Sequence, residues 1–494
     1  MTAAPTLAPS QTAGHPGRWH ALMVSQLAAF MALLDVSIVN VALPSIQNDL
    51  GAAPATAQWV VSGYALTFGL ALIPAGRLGD SLGRRRMFLI GLSAFVLTSA
   101  LSGMASTAGL LIAARLLQGV AGGMLIPQNS GLVQELFQGA ERGRAFGIIG
   151  ATVGVATAAG PVAGGLILTA FTGPDAWRWV FYVNVPIGLA ALLLARRFVP
   201  ALRTADPRRP HLDVVGALIL GGTVLGVLLP VVNADSGGMG QLGWLFGVAA
   251  LMLTAFAWWE TRTAQRGRQP LLPPGLFRIP GFAAGSVIGG VYFIGFTGIW
   301  LVLALFLQHG LGYTPLRSGL AVTPFALGMA AAAAIAGRLV PRLGRWLTVI
   351  GLATTVIGLV ATALLLRHAT GAVTAWQIAA PLLLAGFGGG MVTSPNFTLT
   401  LEHVPVAMAG VAGGALQTAQ RIGAAVGSAL LVTIFYHQLS EVGEAYSAAI
   451  SDTLLYAAGF MMLALSLAIV DLTRQEQRSG HRTVWPSPKC DAID

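Results

Sequence analysis

Fourteen stretches of the chain are apolar over lengths that can cross the roughly 30 Å hydrocarbon core of a bilayer. They lie near 20–43, 56–76, 87–105, 108–131, 144–171, 179–198, 213–233, 241–259, 281–308, 318–338, 347–366, 375–400, 407–436 and 453–472. Hydrocarbon offers no water to backbone N–H and C=O groups, so such segments must close their own hydrogen bonds as helices. An all-α integral membrane protein with 14 transmembrane helices is therefore predicted. Composition agrees: only 9% of the 494 residues are charged, where a soluble domain carries about 25%, too few to cover a water-facing surface. The first run is longer than a signal-peptide core and contains Asp35, so it reads as a retained span.

The basic residues test this count, because cytoplasmic connections carry the excess of Lys and Arg. With the N-terminus inside, 23 of the 28 basic residues fall on inward connections or tails, among them Arg77, Arg84, Arg85 and Arg86. Outward connections hold only Arg178, Arg317 and Arg367, and only Arg115 and Arg421 fall within spans. A missed helix would invert the alternation downstream of it, and no inversion occurs. The net charge of +10 is thus topological, with no basic patch interleaved with aromatics to suggest nucleic acid. Cys490 is the only cysteine and the eight histidines are scattered, so neither a disulfide nor a metal site is expected. The only lysine, Lys489, follows no phosphate-binding loop, so no nucleotide cofactor is expected and energy must come from an ion gradient or a partner chain.

Two segments recur. Ala75-Gly76-Arg77-Leu78-x-x-x-Leu82-Gly83-Arg84 returns as Ala336-Gly337-Arg338-Leu339-x-x-x-Leu343-Gly344-Arg345. Gly119-x-x-Gly122-Gly123-Met124 returns as Gly386-x-x-Gly389-Gly390-Met391, and Asn129 matches Asn396. The offsets of 261 and 267 residues agree on one duplication. The first match shifts by eight spans while each repeat holds six helices, so two extra helices near 213–259 separate the halves. Parallel six-helix repeats with a mid-membrane site between them describe the major facilitator fold. The expected division is a disordered cytoplasmic N-terminus (1–18), an N-terminal six-helix bundle (19–200), a linker with two extra helices (201–279), a C-terminal six-helix bundle (280–474) and a cytoplasmic tail (475–494).

Four motifs carry a closer resemblance. Gly76-Arg77-Leu78-Gly79-Asp80-Ser81-Leu82-Gly83-Arg84-Arg85-Arg86 resembles the superfamily's cytoplasmic loop signature. Leu34-Asp35-Val36-Ser37-Ile38-Val39-Asn40-Val41-Ala42-Leu43-Pro44 resembles a helix 1 signature, and Leu111-x-x-x-Arg115-x-x-Gln118-Gly119-x-x-Gly122 a helix 4 motif. Gly154-x-x-x-x-x-Gly160-Pro161-x-x-Gly164-Gly165 resembles the helix 5 antiporter motif. Jointly they are similar to the fourteen-helix drug:proton antiporter family of the major facilitator superfamily, over residues 20–475.

The residues themselves support specific roles. Asp35 is the only carboxylate well inside a span, where burying a charge costs about 2.5 kcal/mol or more. Desolvation disfavours a charged carboxylate and a neighbouring Arg favours it, so its protonation can follow the opening and closing of a cavity. Arg115 shares a helix face with Gln118, Gly119 and Gly122 and lies at nearly the depth of Asp35, which makes Asp35 and Arg115 the candidate proton-coupling pair. Asp80 is expected to face the positive N-terminus of a second-half helix and to form, with Gly76, Gly83, Arg84 and Arg85, a cytoplasmic gate. The glycines there suit a tight turn. The second copy has Pro341 in place of the acid, so the latch is asymmetric. Gly154, Gly160, Pro161 and Gly164 should bend helix 5 and pack it closely. Candidate substrate-binding residues are Gln118, Tyr292, Phe296, Asn396, Gln417 and Arg421, with Phe293 and Trp300 beside the aromatics; Arg421 suits an ion pair equally well, and the aromatic stripe suits packing. The run from Trp177 to Pro186 suits an interfacial aromatic belt.

The resemblance implies proton-coupled export, by alternating access, of lipophilic neutral or singly charged molecules such as drugs or antibiotics. It also implies a bacterial cytoplasmic membrane, both termini cytoplasmic, protons as coupling ion and a functional monomer. A proton-coupled importer of a small nutrient is the alternative. No catalytic constellation lies within the spans, so no enzyme is expected.

Overall fold

The computed structural model describes residues 17–171, 173–201, 213–232, 238–367, 374–441 and 445–480, and among these every regular element is helical. The first half comprises α1 (Arg18–Asp49), α2 (Pro54–Leu82), α3 (Arg84–Gly103), α4 (Ala108–Leu136), α5 (Gly139–Ala170) and α6 (Pro174–Phe198). Two inserted helices follow, α7 (Val214–Val232) and α8 (Trp244–Gln265). The second half comprises α9 (Phe282–Gly310), α10 (Pro315–Leu343), α11 (Trp346–Leu366), α12 (Thr374–Leu401), α13 (Ala409–Glu441) and α14 (Tyr446–Gly480). Twelve of these are long and apolar enough to cross a membrane; the 32-residue α5 and the shorter α7 complete fourteen. The chain is an all-α, multi-pass integral membrane protein. Two ends differ from expectation. Arg18 already belongs to α1, held by Glu141 at 2.8 Å, and α14 runs on to Gly480; the rest of the expected terminal segments, with Lys489 and Cys490, lies outside the described residues.

The duplication read from the sequence is repeated in local geometry. α2 and α10 each have 29 residues and a proline in the first turn, where its missing N–H costs nothing. They end at Gly83 (φ 101°) and Gly344 (φ 50°), backbone conformations that a side chain would strain. Each packs on the corresponding partner helix through the same contact. A Cβ on Gly119 of α4 would overlap the Tyr64 carbonyl of α2, and one on Gly386 of α12 would overlap the Phe325 carbonyl of α10. One turn on, Gly123 meets the Phe68 carbonyl and Gly390 the Met329 carbonyl. The 261- and 267-residue offsets are therefore the two sides of one close helix contact, made once in each half.

Two large apolar clusters form the core: one around Phe88, Phe95 and Phe146 that reaches across the seam to Phe397, Leu401 and Leu416, the other within the second half around Phe306, Leu359 and Leu454. Large apolar side chains such as Leu97, Leu193, Leu251, Ile357 and Leu364 are exposed on the outside, as expected where lipid is the solvent. α7 and α8 pack on each other through Gly226 and Ala249. Val224 and Leu228 of α7 sit against Leu66 of α2 and Ile422 of α13, so the inserted pair flanks the seam between the halves.

Candidate functional site: a buried ion pair and an inter-half latch

Asp35 and Arg115 form an ion pair at 2.5 Å, with both side chains 0% exposed. Asp35 Oδ1 also accepts from Gln118 Nε2 (3.1 Å) and from Asn184 Nδ2 of α6 (2.8 Å). Ser99 Oγ of α3 accepts from the same two amides at 3.2 and 3.0 Å and donates to the Phe181 carbonyl. Arg115 donates further to the Val60 carbonyl (3.0 Å) and to Gln118 Oε1 (2.8 Å), and its guanidinium lies 4.3 Å from the Tyr64 ring centroid. A buried ion pair of this kind offsets its desolvation only when its remaining hydrogen-bonding capacity is met. Two atoms stay unpartnered, Arg115 Nη2 and Asn184 Oδ1. Among the described residues every polar partner of the carboxylate comes from the first half, and beside Tyr64 lies the Phe68 ring of α2.

Arg421 of α13 is half-buried, with its guanidinium 4.5 Å from the Phe68 ring centroid. Gln417, one turn back, is also half-buried. The remaining candidate substrate residues divide. Tyr292 and Phe296 are buried and stacked at 5.2 Å in an aromatic cluster with Phe293, Trp300 and Phe325, where Trp300 Nε1 is unpartnered. Gln118 instead serves the carboxylate network. Asn396 accepts from Arg345 (2.9 Å) and donates to the Gly285 carbonyl, so its amide is spent inside the second half rather than on a crevice.

The halves are tied at the end where the basic connections lie. The first residues of α13 have backbone N–H groups without intrahelical acceptors. Asp80 fills that role: its carboxylate accepts from Gly410 N–H (3.0 Å) and Val411 N–H (2.9 Å). Arg84 holds Asp80 (3.0 Å) and Glu135 (2.5 Å) and donates to the Val406 carbonyl of the second half. The approach requires glycine, since a Cβ on Gly410 would sit 2.6 Å from the Gly76 carbonyl oxygen and 2.7 Å from Asp80 Oδ1. Contrary to the expected glycine-rich loop, Gly76 and Gly79 lie within α2, and only Gly83 makes a turn. Arg85 binds the Arg196 carbonyl, away from the seam. In the second copy Arg345 stays within its own half, held by Asp471 of α14 (2.8 Å); burial pushes its guanidinium below the ordinary arginine pKa, against the pull of Asp471. Of the α5 glycines, Gly160 and Gly164 face Ser37 and Val41 of α1, while Gly154 faces Ala326 of α10 across the seam; Pro161's side chain lies outside the described set.

Sequence reading missed Asn184, Ser99, Glu135 and Asp471. Asn184 is an uncharged amide opening an apolar helix, and Asp471 stands near a chain end outside any motif, so neither stood out by type. Trp177 was placed in an interfacial belt; it is fully buried, its Nε1 donating to Asp49 at 2.8 Å, while Trp179 and Phe171 are the exposed aromatics.

The sequence profile of the Major Facilitator Superfamily matches residues 27–428. The chain is 35% identical over 438 residues to a probable actinorhodin transporter of Streptomyces coelicolor, covering 88% of this chain and 75% of that protein. It is 35% identical to the puromycin resistance protein of Streptomyces alboniger (96% and 95% covered) and 32% identical to the tetracenomycin C resistance and export protein of Streptomyces glaucescens (88% and 79%). Among solved structures it resembles the human organic anion transporter MFSD10, at TM-score 0.66 and 16% identity over 92% of this chain and 100% of that one. It also resembles the proton:xylose symporter XylE, at TM-score 0.62 and 14% identity over 90% and 95%.

Proposed function

The chain belongs to the Major Facilitator Superfamily, and on that premise we propose that it is a proton-coupled antiporter exporting lipophilic small molecules, antibiotics among them, from the cytoplasm. The observation that carries this reading is the Asp35–Arg115 pair at 0% exposure in mid-bundle, a titratable group that a fold needing only apolar packing has no use for. Relatives named for resistance to, or transport of, puromycin, tetracenomycin C and actinorhodin support the direction and the substrate class.

In this reading the basic end faces the cytoplasm, both termini lie there, and the Asp80 latch keeps that side closed. When the opposite side opens, a proton reaches Asp35 and breaks its charge attraction to Arg115. Asn184 is placed to follow the change. Its amide donates to the carboxylate, and its free Oδ1 becomes an acceptor for the carboxylic O–H after an amide flip. Arg115, released, shifts against Tyr64, which lies in the helix that bears the latch. Separation of Gly410 and Val411 from Asp80 then opens the cytoplasmic side, where the proton leaves and substrate enters. One chain contains both halves and the whole seam, so the monomer is the working unit, with no cofactor besides the proton.

The test is a susceptibility panel including puromycin and tetracenomycin C in an efflux-deficient bacterium, with uptake into inverted vesicles. The reading expects raised resistance and loading of inverted vesicles under an imposed pH gradient. Loading of right-side-out vesicles instead would make the protein an importer.

A further inference from the structure

Arg421 lacks what Arg115 has. No carboxylate pairs with it and no hydrogen bond holds it among the described residues; its one close partner is the Phe68 ring, 4.5 Å away. The acid at similar depth, Asp35, is already committed to Arg115. Of the two arginines within spans, Arg115 is paired with a carboxylate and Arg421, among the described residues, is not. A guanidinium at this depth is expensive to keep unless an anion meets it. Arg421 is half-buried, so it borders accessible space, and Gln417 lies one turn away on the same helix face.

We infer that Arg421 is the anion-recognition point of the transporter and that its preferred substrates are aromatic compounds carrying one negative charge, a carboxylate or an acidic phenol. This deepens the export reading and rests on it. The guanidinium would bind the anion by a charge-assisted hydrogen bond. Because Tyr64 and Phe68 are buried at 1% and 2% exposure, the substrate's rings would pack beside the Phe68 ring under Arg421 only once the seam opens. The same two rings join this point to the proton site. Arg115 lies over Tyr64 and Arg421 over Phe68, on neighbouring turns of α2. Movement of Arg115 on protonation of Asp35 thus disturbs the ring pair against which Arg421 lies. Exporting an anion while importing a proton carries two positive charges inward per cycle, so an inside-negative potential drives both steps.

The test measures binding to the purified full-length protein of several anthracene and anthraquinone carboxylates, each paired with its neutral carboxamide. The carboxylates should bind at least about tenfold more tightly, the worth of one charge-assisted hydrogen bond. Arg421→Gln should bring the carboxylate-to-carboxamide ratio near one, and Arg421→Lys should keep most of it. In proteoliposomes an inside-negative potential should speed carboxylate efflux more than carboxamide efflux. The inference is overturned if no carboxylate binds better than its carboxamide, or if Arg421→Gln leaves the ratio unchanged. Proton-driven efflux of carboxamides without any preference for the acids would sink this inference and leave the export reading standing. Carboxylate preference with no response to a pH gradient would do the reverse.

Discussion

Asp80→Ala removes the side chain that fastens the first half to the start of α13. The carboxylate accepts two backbone N–H groups across the seam, at 3.0 and 2.9 Å. A hydrogen bond to a charged group contributes about 1.5–3 kcal/mol, so losing both weakens the latched state by at least about 3 kcal/mol. That corresponds to roughly a 150-fold change in the ratio of unlatched to latched molecules. The variant is expected to fold, because Arg84 keeps Glu135 at 2.5 Å and the Gly131 carbonyl at 2.7 Å and is not left with a bare charge. Ala412 is a suitable reporter: it is 0% exposed and packs into the core of the first half, so it meets water only when the halves part. In a Cys490→Ser background, maleimide should label Ala412→Cys slowly, and Asp80→Ala should raise the rate about 100-fold, with Asp80→Asn in between. An unchanged labelling rate in an Asp80→Ala protein of parental thermal stability would refute the latch.

Other substitutions separate structure from coupling. Arg115→Gln leaves Asp35 unpaired at 0% exposure and should cost about 3–5 kcal/mol, whereas pairing it with Asp35→Asn should restore most of the melting temperature but no pH-driven efflux. Asn184→Ala removes a 2.8 Å donor to Asp35 and should slow maximal efflux about fivefold or more with KM unchanged; a raised KM at normal rate would move Asn184 to the substrate site. Asp471→Ala strands Arg345, whose side chain is 0% exposed, and thermal unfolding should show a loss of about 3 kcal/mol or more without altered Ala412→Cys labelling.

What the sequence made legible follows from how strongly the bilayer constrains each feature. The fourteen spans, the duplication and the pairing of Asp35 with Arg115 could all be read from apolar length, period and depth, which lipid enforces. Helix ends were less legible because water, not lipid, meets them: α1 begins at Arg18 and α14 continues to Gly480, since polar residues extend a helix beyond the hydrocarbon at little cost. The seam was half legible. Asp80 was expected at a helix N-terminus, but which helix depended on how the halves dock, and Gly410 and Gly76 reveal their complementarity only when opposed. Gln118 and Asn396 were assigned to substrate on type and depth alone. A helix position does not say which neighbour claims an amide, and here Asp35 and Arg345 do so.

The claim on which the rest depends is that Asp35 carries the coupling proton. In proteoliposomes holding a pH-sensitive dye, adding a compound from the susceptibility panel to the wild-type protein should move protons against substrate in a fixed ratio. Asp35→Asn should bind that compound yet move no protons. Proton movement of wild-type size in the Asp35→Asn protein would contradict the account.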